Sequence, residues 1–133
     1  MTWLVTGGAG YIGAHVVRHL VASGRQVAVL DDLSSGHRGF VGRGVRLVEG
    51  TVVSATDVDA ALHAGPDGAP VTGVVHCAGY KYAGESVRRP LHTYRQNVVG
   101  TQVLVERMLE AGVHKIVFSS SAGVFGTPSL SRS

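Results

Sequence analysis

Three glycines near the start of the chain, Gly7, Gly10 and Gly13, have a spacing that lets a backbone approach a phosphate group. They follow a short apolar run, residues 3–5, and precede a segment with the apolar periodicity of a helix. In such a turn the first glycine permits the tight bend, the second admits a pyrophosphate, and the third lets the helix pack closely on the sheet. The unpaired N–H groups of the first helical turn then face the phosphates. This context predicts a dinucleotide site, whereas the spacing alone also fits an ordinary glycine-rich turn.

An aspartate, Asp31, ends the next apolar run of the chain. An acidic residue about 20 positions beyond such a glycine turn holds the hydroxyls of the adenine ribose. A carboxylate there repels a 2′-phosphate, so Asp31 favours NAD over NADP; the alternative is a solvated turn aspartate. The polar loop that follows contains Leu33, Ser35 and Gly36, and we expect its backbone and hydroxyls to contact the same ribose.

Short apolar runs alternate with helical patterns along the whole chain. The predicted strands are residues 3–6, 26–30, 45–49, 74–77 and 115–119. The predicted helices are residues 11–22, residues 57–63 and a long one that begins near Pro90 and ends at Gly112, with Tyr94, Val98, Thr101, Val105 and Met108 on one face. This alternation predicts an α/β fold, a Rossmann-like doubly wound parallel sheet with strand order 3-2-1-4-5. Ligands bind at the carboxyl ends of such strands, where Cys77, Ala78, Gly79 and Ser121 are expected to lie beside the glycine turn.

Length and composition limit the possible classes of protein. The 133 residues fit one domain, and 44% apolar with 16% charged residues is typical of a globular chain. The net charge of +3 comes from scattered basic residues, which argues against nucleic-acid binding. A single cysteine excludes an internal disulfide, no apolar run reaches the roughly 20 residues of a membrane span, and no histidine pair forms a metal-ligand motif. We therefore expect a cytoplasmic protein with neither a membrane segment nor a bound metal.

Five segments carry a resemblance to the extended short-chain dehydrogenase/reductase family. They are VTGGAGYIG at residues 5–13, LDDLSSG at 30–36, HCAGYKYAGESV at 76–87, QNVVGT at 96–101 and FSSSAGVFG at 118–126. The glycine turn marks only the superfamily. The segment around Lys81, with Gly84, Glu85 and Ser86, is similar to the UDP-glucose 4-epimerases within it.

The resemblance implies a set of site residues and an activity. NAD is expected to contact Tyr11, Ile12, Asp31, Asp32, Lys81 and Asn97, with Thr51, Val52, Cys77, Ala78 and Gly79 beside them. Ser121 matches the family's active-site serine. The implied reaction interconverts UDP-glucose and UDP-galactose through a 4-keto intermediate, with a UDP-hexose as substrate and a homodimer as the assembly.

The chain departs from the family pattern in two places. Thr51 stands where the family usually has an aspartate near the adenine. The family's Tyr-x-x-x-Lys pair is absent, since no tyrosine is followed by lysine four residues later, and we expect the pair and a substrate domain to lie beyond Ser133. Because free tyrosine titrates near pH 10, about three units above neutrality, base catalysis without that pair should be very slow. A non-catalytic NAD-binding module and a portion of another dehydratase or reductase of the family remain as alternatives.

Overall fold

The computed structural model describes residues 1–80 and 83–127. The strands are β1 (Thr2–Thr6), β2 (Gln26–Asp31), β3 (Arg46–Glu49), β4 (Gly73–His76) and β5 (Ile116–Phe118). The helices are α1 (Tyr11–Ala22), α2 (Ala55–Leu62), α3 (Ala83–Arg88), α4 (Pro90–Tyr94) and α5 (Gly100–Glu110), with a π-helical turn, Arg95–Val99, between the last two. Three short 3₁₀ turns, Arg38–Phe40, Pro66–Gly68 and Ala122–Phe125, lie in the loops.

All five strands are parallel, and their order across the sheet is β3-β2-β1-β4-β5. This confirms the Rossmann-like topology predicted from the sequence. The change of direction in strand order falls between β1 and β4, which is the switch point where such sheets bind ligands. The carboxyl ends of β1, β2 and β4 therefore meet at one edge of the sheet.

Helices cover both faces of this sheet. On one face Val5, Val27 and Val29 of the strands pack with Val17 of α1. On the other face α2 and α5 pack over a larger core, whose buried members include Leu4, Leu30, Leu62, Val74 and Leu104. Consecutive residues of β1 and β2 thus face two separate cores, which explains why these strands are continuously apolar in the sequence.

The long helix predicted from Pro90 is a continuous run of α4, the π-helical turn and α5, and Gly112, with a φ of +73°, follows its end. Met108, at one edge of the predicted face, is buried, at 3% exposure. The buried stripe runs through every fourth residue, Gly100, Leu104 and Met108, and Val105 lies about 100° around the helix from Leu104. The other three predicted apolar residues are exposed.

Strand β5 is the edge of the sheet on the β4 side. Its residues Ile116, Val117 and Phe118 are exposed by 41%, 56% and 57%, unlike the fully buried residues of β1.

Among residues 1–80 and 83–127, no helix has both the length and the apolar character needed to cross a membrane.

Candidate functional site

A cleft of about 570 Å³ opens at the carboxyl ends of β1, β2, β3 and β4. It brings together residues that the sequence placed in a cofactor site but that are far apart in the chain. The predicted residues that line it are Gly7, Gly10, Tyr11, Asp31, Asp32, Ser35, Thr51, Val52, Cys77, Ala78 and Gly79. Three further predicted cofactor residues, Gly13, Leu33 and Gly36, do not line this cleft.

The glycine turn at the floor of this cleft has no room for side chains. Gly7 has a φ of +71°, and a Cβ there would lie 2.8 Å from the backbone nitrogen of Ala78. A Cβ on Gly13 would lie 2.0 Å from the carbonyl oxygen of Gly7. Helix α1 begins after Gly10, with no side-chain cap and no acidic residue in its first turn. Its first N–H groups therefore have neither intrahelical partners nor a competing carboxylate, which is the arrangement that suits a bound phosphate.

Asp31 is a carboxylate held in place by the backbone. Its Oδ2 accepts a hydrogen bond from the N–H of Ala9 in the glycine turn at 2.9 Å, and its Oδ1 accepts one from the N–H of Leu33 at 2.8 Å. The residue is only 9% exposed. An ionised carboxylate has about four acceptor positions, so two remain for hydroxyl groups of a ligand. Asp31 thus fixes the turn and still presents acceptors to the cleft.

The loop after β2 is built around Ala9. The N–H of His37 donates to the carbonyl of Ala9 at 3.0 Å, and a Cβ on Gly36 would lie 2.8 Å from the carbonyl carbon of Ala9. Asp32 closes the loop locally, because its Oδ1 accepts from both the N–H and the hydroxyl of Ser34. Gly36 therefore allows the loop to pack against the glycine turn.

The segment after β3, which lines the cleft, is held by Asp57, a residue that was not predicted from the sequence to belong to the site. Asp57 Oδ2 accepts from the N–H of Thr51 at 3.0 Å, and the N–H of Asp57 donates to the hydroxyl of Ser54, the N-cap of α2, at 3.2 Å. The Ser-x-x-Asp spacing before an apolar run is a recognisable capping signal and could have identified this pair. Asp57 therefore holds the backbone at Thr51 in place.

A second cleft of about 540 Å³ lies on the other side of the segment after β4. Ile12, Asn97 and Ser121 line it, together with Thr101, Phe118, Ser119 and Ser120. The two clefts share residues 77–80 as a common wall. Most of the predicted site residues thus line one or both clefts. Gly13, Leu33 and Gly36 line neither, and Lys81 lies outside the described residues.

The common wall is anchored to the π-helical turn. The amide of Asn97 brackets the backbone of Tyr80, since Oδ1 accepts from the Tyr80 N–H at 2.7 Å and Nδ2 donates to the Tyr80 carbonyl at 3.0 Å.

His76, at the end of β4, is buried, and burial lowers its pKa from 6.5 to about 4. The imidazole is therefore neutral at physiological pH.

Both the sequence and the fold of the chain are similar to those of known proteins. A model of the NAD dependent epimerase/dehydratase family matches residues 3–132. The chain belongs to this family. A UDP-glucose 4-epimerase of Halalkalibacterium halodurans is 42% identical over 96% of this chain, and one of Klebsiella pneumoniae is 41% identical over 95% of it. The structure of a Thermus thermophilus UDP-glucose 4-epimerase in complex with NAD superposes with a TM-score of 0.83 at 38% identity over 91% of this chain.

The chain covers different shares of the length of these three relatives. The chain spans 37% of the Halalkalibacterium halodurans protein and 38% of the Thermus thermophilus structure, but 93% of the Klebsiella pneumoniae relative.

Within residues 1–80 and 83–127, no three His, Cys, Asp or Glu side chains are grouped as a metal site requires.

Proposed function

We propose that the chain is the NAD-binding portion of a UDP-glucose 4-epimerase and that residues 1–133 form one NAD-binding domain. The observation that carries this proposal is the backbone-held carboxylate of Asp31 facing a glycine turn that admits no Cβ, within one cleft at the switch point. Membership of the family and the similarity to an epimerase solved with NAD support it.

In this proposal each part of the first cleft holds one part of NAD. The N-terminus of α1 binds the pyrophosphate and Asp31 accepts from the adenine ribose hydroxyls. The backbone at Thr51 and Val52, which Asp57 supports, contacts the adenine. Residues 77–80 separate this half from the second cleft, where the nicotinamide and the sugar lie near Ser121. Lys81 and Asn97 are proposed cofactor contacts on that side.

When bound, NAD would supply a hydride acceptor for C4 of the sugar and, once reduced, a hydride donor to the opposite face of the same carbon. Ser121 contributes a hydroxyl that hydrogen-bonds to the reacting sugar oxygen, but an unactivated hydroxyl is a poor base. The 133 residues contain no Tyr-x-x-x-Lys pair to remove the hydroxyl proton. We therefore expect this chain to bind NAD without interconverting UDP-glucose and UDP-galactose.

Calorimetric titration of the 133-residue chain with NAD and with NADP tests the proposal. NAD should bind more tightly than NADP, and equal affinities would remove the ribose role of Asp31. A parallel product assay should detect no UDP-galactose from UDP-glucose. Turnover that disappears in Ser121→Ala would contradict the expected inactivity.

The absent Tyr-x-x-x-Lys pair also favours a second candidate, a non-catalytic NAD-binding module. Joining the chain to the remainder of an epimerase distinguishes the two. Recovery of epimerisation supports the first, and NAD binding without recovery supports the second. In either case we propose a cytoplasmic protein that associates with a second copy through its exposed β5 side.

A further inference from the structure

A line of hydrogen bonds crosses the switch point between β1 and β4. Its centre is His76, which is 2% exposed. The Nδ1 atom lies 2.5 Å from the hydroxyl oxygen of Thr6, at the end of β1, and the Nε2 atom lies 3.0 Å from the hydroxyl oxygen of Thr101, on α5. One imidazole therefore joins two strands and a helix that are distant in sequence.

The direction of every bond in this line follows from counting protons. The hydroxyl of Thr101 donates to the carbonyl of Asn97 at 2.7 Å, and a carbonyl can only accept. With its one proton used, Thr101 must accept from His76, so Nε2 carries the imidazole proton. A neutral imidazole has one N–H, so Nδ1 is an acceptor and the Thr6 hydroxyl donates to it. The Thr6 oxygen in turn accepts from the N–H of Ala78 at 3.3 Å.

Both ends of this line reach the wall between the two clefts. At one end the Ala78 N–H is bound by Thr6, and at the other Asn97 brackets the backbone of Tyr80. The wall is also in close contact with the glycine turn, since a Cβ on Gly7 would lie 2.8 Å from the nitrogen of Ala78. A change in the line would therefore move the wall relative to the proposed phosphate site.

We propose that His76 is a positioning residue: as a neutral imidazole protonated on Nε2, it joins Thr6 to Thr101 and thereby fixes the wall at residues 77–80 between the two clefts. The consequence for NAD affinity rests on the proposed function, whereas the tautomer and the rigidity of the wall do not. Burial supports the neutral state, because it lowers the pKa of His76 well below neutrality. In the protonated form Nδ1 would become a donor, and the Thr6 hydroxyl proton would lose its acceptor.

The first test measures the wild-type chain without any ligand. Long-range ¹H–¹⁵N correlation of the histidine rings near pH 7 should show His76 protonated on Nε2 and bare on Nδ1. A Nδ1–H tautomer, or an imidazolium, would overturn the proposal. This measurement needs no variant, so it stands even if substitutions at the line prevent folding.

The second test uses Thr6→Val and Thr101→Val, each of which removes one hydroxyl from the line while retaining a branched side chain. Thr2→Val is the matched control, because Thr2 is 6% exposed and its hydroxyl bonds to Gln26 at the opposite end of the same strand. Amide exchange at Ala78 and Tyr80 should accelerate about tenfold in both line variants and less than about twofold in the control.

NAD affinity, measured in the same three variants, should fall about tenfold for the line variants and stay within about twofold of wild type for Thr2→Val. Equal losses in all three would mean that the line acts only through general stability, and this would overturn the proposal. Should the wild-type chain not bind NAD, the proposed function fails, while the tautomer and the exchange rates still decide the role of His76.

Discussion

The two clefts share a wall but differ in how their remaining walls are held. The first cleft rests on β1 and β2, whose inner residues are buried from both faces. Its polar groups are fixed by short-range bonds among the glycine turn, Asp31 and the loop that packs on Ala9. The second cleft has β5 and Ser119 to Ser121 as its outer wall, and β5 is exposed along its length.

Under the proposed function, this difference places cofactor binding in the more firmly packed cleft. Buried strands support the first cleft, and the residues that line it come mainly from the stretch 7–52. A cleft whose outer wall is an exposed edge strand has less packing to hold its shape, because local stability follows the density of buried contacts. We therefore expect this chain to bind a dinucleotide mainly through the first cleft.

The largest effect should come from Gly13→Ala, which disrupts the glycine turn at the floor of the first cleft. The added Cβ would lie 2.0 Å from the Gly7 carbonyl oxygen, a backbone atom that cannot move without shifting the turn. We expect about 3 kcal/mol or more of lost stability and no measurable NAD binding. Urea unfolding and calorimetry measure both. Gly42→Ala, where the nearest atom is 4.0 Å away, is the control; similar losses in the two variants would contradict the steric argument.

The free energy of unfolding should depend on pH through His76, the buried residue that precedes the common wall. The native pKa of about 4 lies below the ordinary value of 6.5, so the full stability is present above pH 6.5. It falls as the pH drops towards 4, because the unfolded state takes up a proton that the native state excludes, and the total is about 3 kcal/mol. Urea unfolding between pH 7 and 4 measures this loss.

The contribution of His76 is isolated by comparison with variants, since carboxylates also titrate in this range. His76→Gln should lose most of the pH dependence between 6.5 and 4. His114→Gln, at an exposed histidine, should retain it. Identical pH profiles for wild type and His76→Gln would show that the imidazole is not held neutral by burial.

Asp31→Ala should weaken NAD binding by about 1–3 kcal/mol, the scale for losing hydrogen bonds to a charged group. The carboxylate accepts two backbone bonds and faces the proposed ribose position, so both the turn and the ligand contacts are affected. The preference for NAD over NADP should shrink in the same variant. Asp32→Ala should have a smaller effect, because Asp32 bonds within its own loop. A larger loss in Asp32→Ala would reverse the roles of the two carboxylates.

We expect the exposed strand β5, at the outer side of the second cleft, to cause self-association. Edge strands with apolar side chains pair readily with other chains, and a charge on the edge suppresses such pairing. Light scattering after chromatography should show association that grows with concentration in wild type and is reduced in Val117→Lys. Val21→Lys, on α1 and 44% exposed, is the control. A wild-type chain that remains monomeric at high concentration would contradict this expectation.

Much of the architecture was predictable because its signals are local. The strand order follows from alternating strand and helix patterns, and right-handed crossovers leave few other arrangements. The glycine turn and Asp31 were identifiable for the same reason, since Gly7, Gly13 and the end of β2 belong to one βαβ unit with a fixed spacing. That Asp31 and the turn line one cleft was thus implied by sequence alone.

Other features depended on which distant residues the fold brings together. The sequence indicated His76 only as a strand position, yet its partners Thr6 and Thr101 are 70 and 25 residues away. The burial of Met108 depended likewise on which side of α5 packs against α2 and the sheet. A turn or a strand is specified by the periodicity of neighbouring residues, whereas a buried polar group must bond to whatever partner the packed fold places beside it. Only the tertiary structure could therefore decide that a histidine at the end of β4 bonds to both Thr6 and Thr101.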